Sequence, residues 1–165
     1  MDYTESKMNL FDSAGSYALV HCISSDFVMG AGIAKSFSEF RVKKELMENY
    51  PVNIWHENGY CLHTTAGTMA EKFPNGVYNL ITKEHFYDKP TMATLRQALE
   101  DLKNQCIEDG ICKLAMPTIG CGLDKLKWEE VAPMVRDVFK DTDIEISVAV
   151  FEKINRKETI KYCRE

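Results

Sequence analysis

Continuous apolar runs alternate along the chain with stretches in which apolar residues recur every three or four positions. The runs predict strands over 17–23, 60–65, 77–82, 112–116 and 144–151. The helical spacing predicts helices from 33 to about 48, between the cap residue Thr91 and the stop residue Gly110, and over 128–139. Strands that alternate with helices predict an α/β fold with a mostly parallel sheet.

Two glycine-containing loops follow predicted strands. One is Gly30-Ala31-Gly32, which opens a helix, and the other is Gly120-Cys121-Gly122, which also precedes a helix. Ligands of such sheets bind beyond the carboxyl ends of the strands, so we expect both loops at that edge. Glycines let the backbone approach a ligand, and free amides at a helix start favour an anion. The two loops together are suited to a diphosphate. Lys35 stands at the third glycine position of a dinucleotide fingerprint, so that motif is absent.

Lys83 directly follows the strand predicted over 77–82, at the same edge. A neutral lysine in a desolvated pocket can attack an electrophilic sugar carbon, whereas a lysine at the start of a loop is more often a solvated cation. Asp124, two residues after Gly122, can serve acid–base catalysis or cap a turn or helix. Spacing alone leaves both interpretations open for each residue.

Composition and charge narrow the classes of function. A chain of 165 residues with 45% apolar and 27% charged residues is typical of one soluble domain. The net charge of −5, with no basic stretch, argues against a nonspecific grip on duplex nucleic acid. No apolar run approaches the ~18–20 residues of a membrane span, so we expect no membrane partner.

The N-terminus and the cysteines indicate the cellular compartment and the state of the thiols. The polar N-terminus lacks the apolar stretch of a secretion signal, so an intracellular location, cytoplasmic or nuclear, is expected. The six cysteines lack C-x-x-C spacing, which predicts free thiols and no structural metal.

Five segments carry a resemblance to a known family: HCIS at 21–24, MGAGIA at 29–34, LITK at 80–83, MPxIGCGLD at 116–124 and WE at 128–129. They resemble the macrodomain family and, within it, the terminal ADP-ribose protein glycohydrolase branch, which also deacylates O-acetyl-ADP-ribose. The match covers roughly 10–151. It implies a three-layer α/β/α fold with a six-stranded mixed sheet, and an ADP-ribose cleft formed by both glycine loops.

The resemblance also implies roles for single residues. Lys83 matches the catalytic lysine of the branch, thought to attack the anomeric carbon of the distal ribose. Asp124 matches its catalytic aspartate, which assists the attack and then the resolution of the lysine adduct. Neither a cofactor nor a metal is implied. The residues assigned in this way to ADP-ribose binding are Asn9, Leu10, Ser24, Gly30, Ala31, Gly32, Ile33, Thr118, Ile119, Gly120, Cys121, Gly122, Leu123 and Phe151.

The chain departs from the family pattern in two places. The family usually has a Gly-Asp pair before the position of Leu10, and its Asp accepts from the adenine amino group; here the pair is Met8-Asn9. The amide oxygen of Asn9 can still accept, but without charge assistance, so weaker adenine selection is expected. The branch also ends soon after its last strand. We therefore expect a macrodomain over 1–151 and a polar extension, helical or disordered, over 152–165.

The resemblance predicts a hydrolase that removes ADP-ribose from acidic residues and deacylates O-acetyl-ADP-ribose, acting as a monomer on ADP-ribosylated proteins. Three alternatives remain open: a non-catalytic ADP-ribose-binding module, a hydrolase of ADP-ribosylated nucleic-acid bases, and a phosphatase acting on the terminal phosphate of ADP-ribose. The presence of both Lys83 and Asp124 argues against the binding module, which needs neither. The choice among acceptors depends on the walls of the cleft.

Overall fold

Six strands form one mixed sheet in the computed structural model, which describes residues 1–65 and 69–150. The strands are β1 Asp2–Lys7, β2 Ala18–Ser24, β3 Tyr60–Thr64, β4 Val77–Lys83, β5 Lys113–Met116 and β6 Glu145–Val150. Their order is β1-β6-β5-β2-β4-β3, and all neighbours are parallel except β3 and β4. The expected six-stranded mixed sheet is confirmed.

Helices cover both faces of this sheet. Their bounds are α1 Gly32–Glu39, α2 Val42–Asn49, α3 Met69–Lys72, α4 Met92–Asp109 and α5 Trp128–Phe139, with short 3-10 turns at Leu10–Ser13 and Gly122–Asp124. Among the described residues, no helix combines the length and apolar character needed to cross a membrane.

Strand β2 shows why the core has two halves. Val20 belongs to a buried cluster with residues of α4 and α5. Leu19 and Ile23 belong to a second cluster with residues of α1 and α2. Because successive side chains of a strand point to opposite faces, a strand buried on both faces has a continuous apolar sequence. The packing therefore forms three layers, α/β/α.

The longest helix begins and ends where the sequence predicts. The Thr91 side chain accepts from the backbone N–H of Thr94, and the Thr94 hydroxyl accepts in return from the backbone N–H of Thr91. This reciprocal pair satisfies two donors that the first turn leaves open. At the other end Gly110 adopts a left-handed conformation with φ of 70°, which glycine tolerates without steric cost.

The single helix predicted from 33 to about 48 is wrong. The structure has α1 and α2 instead, because Arg41 adopts a left-handed conformation with φ of 72°. In one straight helix, Val42 and Leu46 would lie about 140° and 180° around the axis from Phe37. The turn at Arg41 lets all three side chains be fully buried.

The sequence pattern also missed β1, because this strand presents no buried residue. It lies at an edge of the sheet and pairs with β6 alone. Its polar sequence is typical of an edge strand that one partner holds through the backbone. The expected extension over 152–165 lies outside the described residues.

Candidate functional site

The carboxyl ends of β2, β4 and β5 lie side by side, because these strands are parallel neighbours. The residues that follow them line a cleft of about 460 Å³, which is within the size range of small-molecule sites. Its walls come from the end of β2, the first glycine loop, the loop after β4 and the turn around Leu123. The cleft lies at the edge where the sequence predicts a ligand.

Lys83 and Asp124 meet in this cleft, although 41 positions separate them in the sequence. Lys83 Nζ donates to Asp124 Oδ1 at 2.7 Å, and each side chain is only 14% exposed. Lys83 is the last residue of β4, and Asp124 lies in the 3-10 turn after β5. Lys83 is therefore not a solvated surface lysine. The structure brings together the two residues that the resemblance marks as catalytic.

A β-bulge presents Lys83 at the end of β4. The register between β2 and β4 shifts after Ile23, so that Ser24 pairs with Lys83. The backbone N–H of Ser25 then donates to the carbonyl oxygens of Lys83 and Glu84, at 3.0 and 3.1 Å. Bulges beside functional sites re-aim a side chain, and these bonds hold the backbone that carries the Lys83 ammonium.

Asp26 connects the loop after β2 to the loop after β4. Its Oδ1 accepts from the Ser24 hydroxyl at 2.5 Å and from the Val28 N–H at 3.0 Å, and its Oδ2 accepts from the Phe86 N–H at 2.9 Å. Burial works to raise the pKa of the Asp26 carboxyl, but these hydrogen bonds outweigh it and hold that pKa below its usual value. The ionised carboxylate thus holds two walls of the cleft together.

The first glycine loop contributes Gly30, Ala31 and Gly32 to the cleft. Ala31 precedes α1 and offers no side-chain cap to the amides of its first turn, and such amides favour an anion. Gly32 has φ of 61°, a conformation that glycine adopts without strain. Ile33, by contrast, packs into the core rather than lining the cleft.

The second glycine loop reaches the cleft through its last residues. Leu123 and Asp124 line it, whereas Thr118, Ile119 and Gly120 do not. Gly120 has φ of +75°, a left-handed conformation that glycine adopts without strain, and a Cβ there would lie 2.9 Å from Leu126 Cδ1. Cys121 precedes the 3-10 turn, and Gly122 is its first residue. The loop therefore leads into this turn and not directly into α5.

The residues expected at the adenine lie toward the other end of the same edge. Asn9 follows β1, and its side-chain oxygen caps the 3-10 turn by accepting from the Phe11 N–H at 3.0 Å. Leu10 follows it in the sequence and is buried. Neither residue lines the cleft described above. Phe151 lies outside the described residues.

Seven further residues line the cleft and were not assigned to the site from the sequence: Cys22, Ile23, Val28, Ala34, Phe86, Lys89 and Lys125. Lys89 Nζ donates to the Leu123 carbonyl at 2.7 Å and so joins the loop after β4 to the turn that carries Asp124. Cys22, Ile23 and Ala34 lie within the segments that carry the family resemblance, and the other four belong to no motif. For those four, a place in the loops that follow β2, β4 and β5 was the only available signal.

The loop after β4 also groups three potential metal ligands, although the sequence predicts no metal. Ligand atoms of Glu84, His85 and Asp88 lie within 4.8 Å of one another. His85 Nδ1 and the His85 N–H both lie close to Asp88 Oδ2, at 3.1 and 3.0 Å. These bonds shape the loop itself.

Comparison with known proteins identifies relatives along most of the chain. The Macro domain model matches residues 20–135. The chain is 40% identical over 145 residues to the ADP-ribose glycohydrolase OARD1 of Bos taurus, covering 86% of this chain and 87% of that protein. The Homo sapiens protein of the same name is 39% identical over the same shares.

A solved structure agrees with this assignment at the level of the fold. The Thermosipho africanus DarTG in complex with ADP-ribose superposes with a TM-score of 0.72 at 18% identity, covering 94% of this chain and 43% of that one. The predicted resemblance is thus confirmed by a family model and by relatives that match along most of their length. The chain belongs to the macrodomain family.

Proposed function

We propose that the protein is an ADP-ribosyl hydrolase that releases mono-ADP-ribose from acidic side chains and deacylates O-acetyl-ADP-ribose. The observation that carries this proposal is the shielded pair of Lys83 and Asp124, 2.7 Å apart in a cleft. A module that only binds its ligand needs no such pair. The glycohydrolase name of the Bos taurus relative supports the same reaction class.

The layout of the sheet edge supports a ligand that extends from Asn9 to Lys83. The order β1-β6-β5-β2-β4 places four strand spacings between β1, which precedes Asn9, and β4, which ends at Lys83, or about 19 Å at the usual spacing of neighbouring strands. Adenine would lie near Asn9, and the distal ribose near Lys83. The diphosphate between them would contact the uncapped amides that begin α1.

The chemistry begins with Lys83. Its Nζ attacks the anomeric carbon of the distal ribose, and the bond from that carbon to the acyl oxygen breaks, so that the modified side chain leaves as a carboxylate. A lysine needs a lone pair for this attack, and Asp124 Oδ1 lies at hydrogen-bond distance to take its proton. Water, oriented by Asp124, then attacks the same carbon and releases Nζ and free ADP-ribose.

Substitution of Lys83 tests the nucleophile. Lys83→Ala should abolish release of ADP-ribose from a glutamate ester while changing ADP-ribose affinity little, because a nucleophile acts on the transition state more than on the bound ground state. Turnover and calorimetry on the same samples separate the two effects. Lys140→Ala is the control, because it removes an exposed lysine that pairs with Asp137 at the far end of α5.

Substitution of Asp124 tests the resolution step. Asp124→Ala should slow the first attack, because the acceptor of the Lys83 proton is lost. If Asp124 also orients the second attack, the ADP-ribose that becomes attached to Lys83 should then accumulate, seen as a mass increase on the peptide that contains 80–83. Near-normal hydrolysis by Lys83→Ala would instead exclude Lys83 as the nucleophile and leave a water activated by Asp124 as the attacking group.

A panel of substrates tests the linkage that the protein cleaves. It contains the glutamate ester, the serine, arginine and thymidine linkages, O-acetyl-ADP-ribose and ADP-ribose with a terminal phosphate. Its results distinguish the proposed linkage from the alternatives.

A further inference from the structure

Three apolar side chains stand exposed at the mouth of the cleft. Phe86 is 55% exposed, Leu123 is 50% exposed and Val28 is 40% exposed. All three line the cavity that holds Lys83 and Asp124. Apolar side chains that line a ligand cleft contact what binds there, so these three are candidates for contact with a substrate.

These side chains flank the reacting pair on separate walls. Phe86 follows Lys83 by three residues, and its backbone N–H is fixed by Asp26 Oδ2. Leu123 precedes Asp124, and its carbonyl oxygen is fixed by Lys89 Nζ. Val28 donates its N–H to the other oxygen of Asp26. The backbone positions of all three are therefore fixed before any ligand binds.

The position of these three side chains relative to the acceptor follows from the proposed reaction, on which the inference rests. Attack by Lys83 at the anomeric carbon requires the acceptor to be bonded to that carbon. The acceptor must therefore lie next to Lys83 and Asp124, between the loop that carries Phe86 and the turn that carries Leu123. We propose that Phe86, Val28 and Leu123 form a docking surface for the acceptor polypeptide, contacting an apolar side chain beside the modified carboxyl group.

Charge on the same loop favours a polypeptide over a nucleic acid. Glu84 and Asp88 lie on either side of Phe86 in the sequence, with side chains 51% and 39% exposed. Of the two other lysines that line the cleft, Lys89 and Lys125, the first is held by the Leu123 carbonyl. The protein as a whole carries a net charge of −5. A nucleic-acid strand would bring its phosphates against these carboxylates, which is unfavourable. A peptide with an apolar residue next to the ester and a basic residue further along would be attracted.

The test compares two synthetic peptides with the same glutamate-linked ADP-ribose, one flanked by leucine and lysine and one flanked by glycine. The wild-type protein should hydrolyse the first with the lower KM. Phe86→Ala should raise the KM for the leucine peptide about tenfold and leave kcat close to wild type, because the contact is present in both the ground state and the transition state. The glycine peptide, O-acetyl-ADP-ribose and ADP-ribose affinity should change less than about twofold.

Two further variants control for size and for surface. Phe86→Leu keeps an apolar side chain and should restore most of the preference for the leucine peptide. Ile107→Ala removes an apolar side chain that is 62% exposed. It lies near the end of α4, far from the cleft, so this variant should match wild type on every substrate.

Several results would overturn the inference. Equal KM values of Phe86→Ala and wild type on the leucine peptide would exclude the surface. An equal loss of ADP-ribose affinity would assign Phe86 to the ADP-ribose site instead. Faster hydrolysis of a thymidine-linked oligonucleotide than of either peptide would exclude a polypeptide acceptor. Failure of wild type on every substrate would instead overturn the proposed function, and this inference with it.

Discussion

At the scale of single residues, Asn9 carries a prediction about ligand choice. Asn9→Asp keeps the cap on the Phe11 N–H, since aspartate caps as well as asparagine. An ionised acceptor should also bind the adenine amino group more strongly, by roughly 1 kcal/mol. We expect the preference for ADP-ribose over its inosine analogue to rise about fivefold, measured by calorimetry on both variants. An unchanged ratio would mean that Asn9 does not contact the adenine.

The pairing of Lys83 with Asp124 shows which residues of the site the sequence can identify and which it cannot. Spacing alone could not join them, because the 2.7 Å contact bridges 41 positions through the parallel order of β4, β2 and β5. The family motifs supplied both residues as candidates. They could not supply Phe86 or Lys89, since these lie in a loop whose place is set by Asp26 and by the Leu123 carbonyl.

At the scale of elements, Asp26 carries a prediction about the two loops. Three donors converge on its carboxylate, from Ser24, Val28 and Phe86. Asp26→Asn turns one acceptor oxygen into an NH₂ donor, so one of these bonds must be lost, at a cost of about 1–2 kcal/mol of unfolding free energy. The loop after β4 should loosen, and kcat for the glutamate ester should fall several-fold.

The matched control for this change is Asp141→Asn. Asp141 is exposed in the turn between α5 and β6 and does not line the cleft, so the substitution removes the same charge without altering the cleft walls. Chemical denaturation and turnover should both match wild type for this control. An Asp26→Asn protein with wild-type stability and kcat would show that the two loops hold their positions without the carboxylate.

The sequence predicted some elements accurately and missed others, and the difference follows from how deeply each element is buried. Strand β2 is buried along its whole length, and helix α4 has one buried apolar face, so the sequence of each shows a clear apolar pattern. Both elements match their predicted bounds closely. The break at Arg41 and the edge strand β1 were missed. The break at Arg41 depends on how the side chains pack against the sheet, which the sequence does not show. Strand β1 is held by backbone pairing, so its sequence contains no run of apolar residues.

At the scale of the whole molecule, strand β2 belongs both to the cleft and to the core. The end of this strand lines the cleft, while its centre carries His21, which is fully buried between the sheet and α1. His21 Nε2 lies 2.6 Å from Asn79 Oδ1, and its ring lies 4.0 Å from the ring of Phe37. His21 lies within the strand predicted over 17–23, and its full burial agrees with a strand that is covered on both faces.

The burial of His21 makes the stability of the whole domain depend on pH. Desolvation lowers the pKa of His21 from 6.5 to about 4 in the folded state, against the opposing effect of the Asn79 hydrogen bond. Between these two pH values the unfolded chain binds a proton that the folded protein does not, so folding becomes less favourable as pH falls. This group should remove about 3 kcal/mol of unfolding free energy between pH 6.5 and pH 4, at about 1.4 kcal/mol per unit.

His21→Gln removes the titrating ring, so urea denaturation of both proteins at several pH values isolates this contribution from that of the carboxylates. At pH 8 the imidazole is neutral in both states, and the difference between the two proteins reports packing and the Asn79 hydrogen bond alone. As pH falls below 6.5, wild type should lose stability faster than the variant, and the difference should level off below about pH 4. A difference that stays constant from pH 8 to pH 4 would mean that His21 is protonated equally in the folded and unfolded chains, and that its place in the core admits water.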